Sequence, residues 1–486
     1  MSNTTRKKGR GNTTNATLII TILSGIIVLV ILIIALLMIT GKISLLKSGS
    51  TIADSSRTTA DNSGAVSNSS VSSSISETEI ETTTGTVFAD EELIAKADRL
   101  AAMYDYDAAI ELIKSVPGYE NYDDANDLIT RYELEKSRLV KWPDNKTIKH
   151  VFFHALIVDT DLCFKSDEAS QYNQVMTTVE EFNKIMQILY DKGYVLVGVH
   201  DMAELVQQPD GTYLMVEKPI YLPEGKTPFV LSEDDVNYYE YMIGDGFASR
   251  LVVGEDGLVT TEMDLADGTS VIGSYDVVPI IEDFLKVHPD FSYRGAKGII
   301  AVTGYNGVFG YRTSEYSYGS GDNVLYINPN IEEDRKKVTE VANALRATGW
   351  ELASHSWGHR YLGSISMDHL YWDSNMWETE VETLIGDTDI LLFPFGEDVG
   401  SWTGYTADNE RYTFLDSLGF KYFCNVDSTE YWVQIRDHYF RQGRRNLDGT
   451  RMYQAILGKD LLSDLFDSSL VFDSARPVPV EGVVVE

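Results

Sequence analysis

From Lys149 onward the chain carries seven short apolar runs, HVFFHALIV, YVLVGV, FVLS, GIIAVTG, WELASH, DILLFPF and KYFCNV, with amphipathic stretches between them. Short, evenly apolar runs separated by helix-period segments are the pattern of an α/β fold with a largely parallel sheet or barrel, whose strands are covered on both faces. The spacing predicts helices over Val179 to Lys192, Val277 to Val287, Ile331 to Ala347 and Asp408 to Leu418. One segment, residues 237–275, has no place in that alternation. Its VVGEDGLVTTEM reads as a β-hairpin turning at Glu255, Asp256 and Gly257, an insertion near the mouth of whatever site the fold carries.

The N-terminal part is organised differently. Ala16 to Thr40 is uncharged and apolar throughout and long enough to cross about 30 Å of hydrocarbon as a helix. Arg6, Lys7, Lys8 and Arg10 precede it, and only Lys42 and Lys47 follow closely. The positive-inside tendency therefore puts residues 1–15 in the cytoplasm and the bulk of the chain outside. A cleaved signal peptide is the competing reading, against which stand the length of the run and the lack of a small-x-small site after it. Residues 41–87 are rich in Ser, Thr, Ala and Asn and read as a flexible stalk. Over 88–140, Leu93, Ala97, Leu100 and Tyr104 share one helical face and Ala109, Leu112, Ile113 and Val116 another, which predicts a helical hairpin of tetratricopeptide type. One copy falls short of a solenoid, so it serves either as a spacer packed on the main domain or as a protein-contact surface.

Forty basic against 74 acidic residues give a formal charge of -34, which excludes a nucleic-acid partner because phosphate contacts need a basic surface. Cys163 and Cys424 are far apart and lack CxxC spacing. They make either one bridge or two buried thiols, and no thiolate metal site.

Two constellations at the ends of apolar runs carry chemistry. In FVLSEDDVNYYEY, Asp234 and Asp235 are adjacent. A divalent cation would neutralise one and leave the other to take a proton from water; alternatively, Ser232 and Asp235 cap a helix beginning at Val236. In WELASHSWGHR, His355 and His359 are four apart, and on a helical turn both imidazoles reach one ion. An Asp with two His leaves coordination positions open, the pattern of a catalytic ion of zinc type.

The order of these motifs over roughly Lys149 to Phe472 resembles the polysaccharide deacetylase family (NodB homology, carbohydrate esterase family 4). FFHALIVD, the helix-then-GY segment leading into YVLVGV, Ser232-Glu233-Asp234-Asp235 in place of Thr-Phe-Asp-Asp, and His355-Ser356-Trp357-Gly358-His359 for His-Ser/Thr-x-x-His carry the resemblance. It implies a distorted (β/α)7-type barrel with the site at the strand C-terminal ends. It further implies Asp234 as general base and Asp235, His355 and His359 as ligands of a divalent ion, zinc or else cobalt, nickel or manganese, that polarises an acetyl carbonyl. The substrate so implied is an N-acetylated or O-acetylated polysaccharide of the cell envelope.

The chain departs from the family pattern in three places. Glu233 stands where Phe is usual and adds a third carboxylate beside the base. The Arg-x-Pro-x-Gly motif aligns with Leu392, Phe393, Pro394, Phe395 and Gly396, so its Arg is missing; Arg441, Arg444 and Arg445 in RQGRRN are the candidate substitutes. The closing Leu-x-His has no clean match, and His438 is the only histidine late in the chain to offer as general acid. His154, at the end of the first run, is either a pocket residue or a core histidine. Tyr238, Tyr239, Trp357 and Trp402 suit either sugar stacking or core packing. Beside the deacetylase expectation stand a glycan-binding protein that keeps the fold without turnover and a metal-dependent amidase acting on peptides. Residues 473–486 read as a C-terminal tail.

Overall fold

The computed structural model describes Phe88 and residues 90–315, 328–459 and 461–483. The expected cytoplasmic tail, apolar span and stalk lie outside the described residues, among which no helix is long and apolar enough to cross a membrane.

The first described element is three helices, not two: α1 (Glu91–Ala102), α2 (Tyr106–Lys114) and α3 (Asp123–Ser137). Asp90 and Asp105 cap the first two by accepting N–H groups of Leu93 and Ala108. Ala97, Ala109, Ile113 and Tyr132 are buried where the helices meet. This module sits against the chain leading into a barrel strand: the Tyr104 hydroxyl donates to the Asp290 carbonyl at 2.8 Å, and Arg294 pairs with Asp105 at 2.8 Å.

Seven parallel strands follow: β1 (Lys149–Phe153), β2 (Thr227–Glu233), β3 (Gly298–Val302), β4 (Trp350–Ser354), β5 (Ile390–Leu392), β6 (Tyr422–Val426) and β7 (Tyr439–Asn446). They pair in chain order, and the sheet closes on itself where β7 meets β1 (Arg445 opposite Val151), β1 lies beside β2, and β2 meets β3 (Ile299 opposite Ser232). The period-2 alternation of side chains divides the core in two. Val230, Ile299, Ala301, Ala353, Leu392, Cys424 and Phe440 cluster inside the barrel, together with the N-terminal helices. Val151, Phe153, Leu231, Ile300 and Phe423 face the outer helices.

Helices α4 (Val179–Asp191), α5 (Val277–Val287), α6 (Ile331–Ala347) and α7 (Met367–Trp377) cover the outside. Thr178 and Glu181 form a reciprocal capping box that starts α4, and Asp276 caps α5. The expected helix over Asp408 to Leu418 is Glu410–Ser417.

Two assignments of strands need correcting. YVLVGV supplies only Tyr194–Leu196, which pairs with the first half of β2 and stands outside the closed ring. The seventh strand is instead YFRQGRRN, whose basic residues mask it as a loop. All but the last of its residues are buried, and its inward positions include Gln442 and Arg444. The insertion does form a hairpin, Arg250–Val253 against Val259–Asp264, with a third strand at Ser270–Gly273.

Cys163 and Cys424 are buried and unpaired, so no bridge forms. Within the expected C-terminal tail, the described residues 473–483 are held to the domain through Arg476. Arg476 is buried with its Nε 2.6 Å from Glu181 Oε1, and it donates to the carbonyls of Asn173 and Met176 at 3.0 and 2.6 Å.

At the N-terminal end of the barrel, His200 bridges two strand entrances. Its Nε2 is 2.9 Å from Asp389, just ahead of β5, and its Nδ1 contacts Glu351 of β4. Burial works to lower this imidazole, but the hydrogen bonds with Asp389 and Glu351 outweigh it and raise the group to about 10. A folded-state value above the unfolded value of about 6.5 gives stability that is complete below about pH 6.5 and is lost as pH rises toward the folded value. The parent chain is therefore expected to lose urea resistance across that window more steeply than His200→Gln. Parallel pH profiles for the two proteins would refute the clamp.

Candidate metal centre

The C-terminal ends of β2 and β4 bring the candidate residues together. After Glu233 the chain turns through Asp235, whose φ is +58°, and no α-helix begins at Val236; the next helical turn is a short 3-10 segment at Glu240–Met242. The helix-cap reading of Asp235 therefore falls. Buried Asn237 holds the turn, its amide donating to the Thr303 carbonyl at 2.9 Å and its oxygen accepting the Thr303 N–H at 3.0 Å.

His355 and His359 are not on a helix either. They lie on an irregular loop after β4 in which Ser356 and His359 take left-handed φ values of +56° and +50°. Such strain persists only where surroundings fix the loop. Here Asp373 of α7 does so, accepting the N–H groups of Trp357 and Gly358 at 3.0 and 2.8 Å. Residues four apart converge through loop geometry rather than helical period.

Donor atoms of Asp235, His355 and His359 all lie within 4.8 Å of one another, with His359 Nε2 3.5 Å from Asp235 Oδ2. Among the described residues this is the only such group of metal-ligating side chains. Two of the three ligands, His355 and Asp235, are oriented from behind. His355 Nδ1 is 2.7 Å from the Leu392 carbonyl, which can only accept, so the ring proton sits on Nδ1 and the Nε2 lone pair is free. Asp235 Oδ1 accepts the Tyr239 hydroxyl at 2.6 Å, leaving Oδ2 for the ion. Burial lowers His355 to about 4, so at neutral pH it is the uncharged imidazole a metal requires. Burial works to raise Asp235, but His359, then His355, outweigh it and the net shift is downward. The donor set and its buttressing fit a divalent ion of zinc type.

Next to this trio, buried Asp234 has Oδ1 2.6 Å from Arg444 Nη1 and Oδ2 3.8 Å from His355 Nε2. Burial alone would raise its pKa, yet the Arg444 guanidinium, then His355, hold the carboxyl well below the usual range. Of the three arginines in RQGRRN, only Arg444 reaches it. Arg441 is bound to Asp398 at 2.7 Å, and Arg445 donates to the carbonyls of Leu461 and Thr429 and lies over the Tyr431 ring. Strand alternation decides this, since position 444 points inward while 441 and 445 point out.

Three other expected site residues are displaced. Glu233 projects to the opposite face of β2, where it neighbours Asp276; burial, then the charge of Asp276, raise its pKa well above normal, and Asp234 is lowered despite it. Trp357 is only 2% exposed and its indole N–H donates to Glu380 at 2.9 Å, so it packs the core and does not line the site. His438 is exposed in the turn ahead of β7, hence at the barrel end opposite the site, and cannot act there.

His154, half-buried at the end of β1, does stand at the mouth: its charge lowers both Asp234 and Asp235, and its Nδ1 is 3.2 Å from the Val175 carbonyl. Pro394 is buried and Gly396, at φ +70°, packs so closely on Val426 that a Cβ would come within 2.5 Å. Between them Phe395 is 54% exposed, 4.3 Å from the His359 ring and stacked on Tyr361 at 4.0 Å. Across the site Tyr239 stacks between Tyr241 and Tyr305, at 5.5 and 5.0 Å. Tyr238 is core, its hydroxyl donating to Asp276 at 2.6 Å. Trp402 is 84% exposed on the loop that carries Phe395.

The buttresses Leu392, Tyr239 and Asp373 carry no sequence signal for these roles. Leu392 acts through its backbone carbonyl, and Asp373 acts from a helix remote in sequence.

No family model matches this chain, and no curated protein matches it. Among solved structures, the Streptococcus pyogenes deacetylase PplD in complex with acetate is 13% identical, with a TM-score of 0.32, over 65% of this chain and 98% of that chain.

Proposed function

We propose that the chain is a metal-dependent hydrolase that removes acetyl groups from a polysaccharide of the cell envelope, held at the outer face of a membrane by its apolar run at 16–40. The observation that carries this reading is the convergence of Asp235, His355 and His359 beside a second carboxylate, Asp234, that is fixed by an arginine. The motif order in the sequence supports the same assignment, and the exposed aromatic faces of Tyr241, Tyr361 and Phe395 around the site suit the apolar faces of sugar rings.

Asp235, His355 and His359 would hold a divalent cation, which when bound would supply Lewis-acid polarisation of a carbonyl and of water. The chain's own groups do the rest. Arg444 occupies Asp234 Oδ1 and so presents Oδ2 as the atom that takes the proton from the attacking water. His154, the imidazole left at the mouth once His438 is excluded, enters protonated and donates that proton to the leaving nitrogen or oxygen, and the proton taken up by Asp234 passes to solvent when the products leave. Collapse of the tetrahedral adduct then breaks the acyl bond and frees acetate.

Acetate release from N-acetylglucosamine oligomers is the test. Asp234→Asn is expected to lower kcat by about a thousandfold with the ion still bound, because a positioned base contributes roughly 10²–10⁴. His154→Gln is expected to lower kcat by about a hundredfold, with KM little changed. An Asp234→Asn protein as active as the parent would sink the mechanism. A parent that binds such oligomers without releasing acetate would leave a glycan-binding function in its place, and cleavage of peptide amides with no acetate from any glycan would make it an amidase.

A further inference from the structure

Beneath the proposed base the barrel interior carries polar side chains that the mechanism above does not use. His150 is completely buried, as are Ser232 and Gln442. Enclosing three polar groups in a barrel core is costly unless each is hydrogen-bonded. Here they form one continuous chain.

The direction of every link in it follows from chemistry. The Ile148 carbonyl can only accept, so the Gln442 group 3.0 Å away is its Nε2 donor, and Gln442 Oε1 must accept from the other side. His150 Nδ1 is 3.1 Å from that Oε1 and therefore carries the ring proton. His150 Nε2 is then a lone pair, and it accepts from the Ser232 hydroxyl at 2.9 Å. With its one proton spent on His150, Ser232 Oγ accepts at 3.2 Å from Arg444 Nη1, the same nitrogen that holds Asp234 Oδ1 at 2.6 Å. A protonated His150 would leave Ser232 Oγ without an acceptor for its proton and put a second cation beside Arg444. Burial, then the Arg444 charge, keep the ring neutral.

We infer that Ile148, Gln442, His150 and Ser232 form a one-way hydrogen-bond relay whose purpose is to aim Arg444, and that His150 and Ser232 are positioning residues for the base. This rests on the reading of Asp234 as base. In the family pattern an Arg next to β5 orients the base; here Leu392 occupies that position, and the guanidinium enters from β7, across the barrel interior. An arginine arriving by that route needs its own support, and the relay supplies it.

Ser232→Ala removes one oxygen and cuts the relay at its last link. Measured on the full chain, it is expected to lower kcat by about 10–100-fold with KM unchanged within about twofold, the scale of a misplacement near 1 Å. Metal content should stay at the parent level. Ser232→Thr restores the hydroxyl and should recover kcat to within about threefold of the parent, which loss of packing alone would not produce. In an Arg444→Lys background Ser232→Ala should cost nothing further in kcat, because the relay acts through the guanidinium. Equal kcat in the parent and Ser232→Ala, or fully multiplicative losses in the double variant, would overturn the relay. A parent inactive on every acetylated substrate defeats the deacetylase reading instead. The relay is then decided by a crystal structure of Ser232→Ala, where an Arg444 still seated on Asp234 Oδ1 refutes it and a displaced one upholds it.

Discussion

Replacing His355 and His359 together by alanine is expected to strip the chain of its ion, from about one per molecule in the parent to background, with acetate release falling at least about a thousandfold. The size of the effect follows from the geometry. The remaining ligand, Asp235, is a single carboxylate already engaged on one oxygen by Tyr239, too little to retain a transition metal against buffer. Fold should survive the change. His359 is only partly buried, and although the change forfeits the His355 bond to the Leu392 carbonyl, the loop between the histidines keeps its backbone N–H groups anchored on Asp373. Elemental analysis beside a thermal melt separates the two quantities. An unaltered metal content in the double variant would remove the centre; lost metal together with a collapsed melt would show that the ion is structural.

The second large effect concerns stability. Arg476→Ala is expected to cost about 3–5 kcal/mol, the range seen when one partner of a buried ion pair is removed and the other is left uncompensated. Glu181 and Arg476 have no exposed side-chain surface at all, and Glu181 also receives the Thr178 and Asp473 N–H groups. Without the guanidinium, the carbonyls of Asn173 and Met176 lose their donors as well. Urea unfolding of the two proteins measures the difference, and a shift under about 1 kcal/mol would show the pair to be replaceable by water.

The outer helices and most of the barrel were legible because they repeat simple periods: Val277–Val287 and Ile331–Ala347 have the bounds their spacing predicts. The seventh strand was hidden because its inward positions are polar, and no hydrophobic alternation marks Gln442 and Arg444. For the same reason the partner of Asp234 could be narrowed only to three arginines; which one points inward depends on a register visible only once the strand is recognised. The convergence of Asp235, His355 and His359 followed from motif spacing, although by a helical geometry that the structure replaces with a strained loop. Glu233, Trp357 and His438 went astray because sequence neighbourhood does not say which face of a strand or which end of a barrel a side chain occupies. The C-terminal clamp was illegible because it depends on Arg476 meeting a helix start almost three hundred residues earlier.

Closure of the barrel by β7 also sets an order of events in time. A chain is made from its N-terminus, so Asp234 emerges long before Arg444 does. Until the last strand has been synthesised and has paired with β1, the barrel is an open sheet and the base carboxylate has no guanidinium beside it. On the proposed reading of Asp234 as base, a chain cut before β7 is expected to lack the positioned carboxylate, and acetate release from such a truncated chain would refute that order.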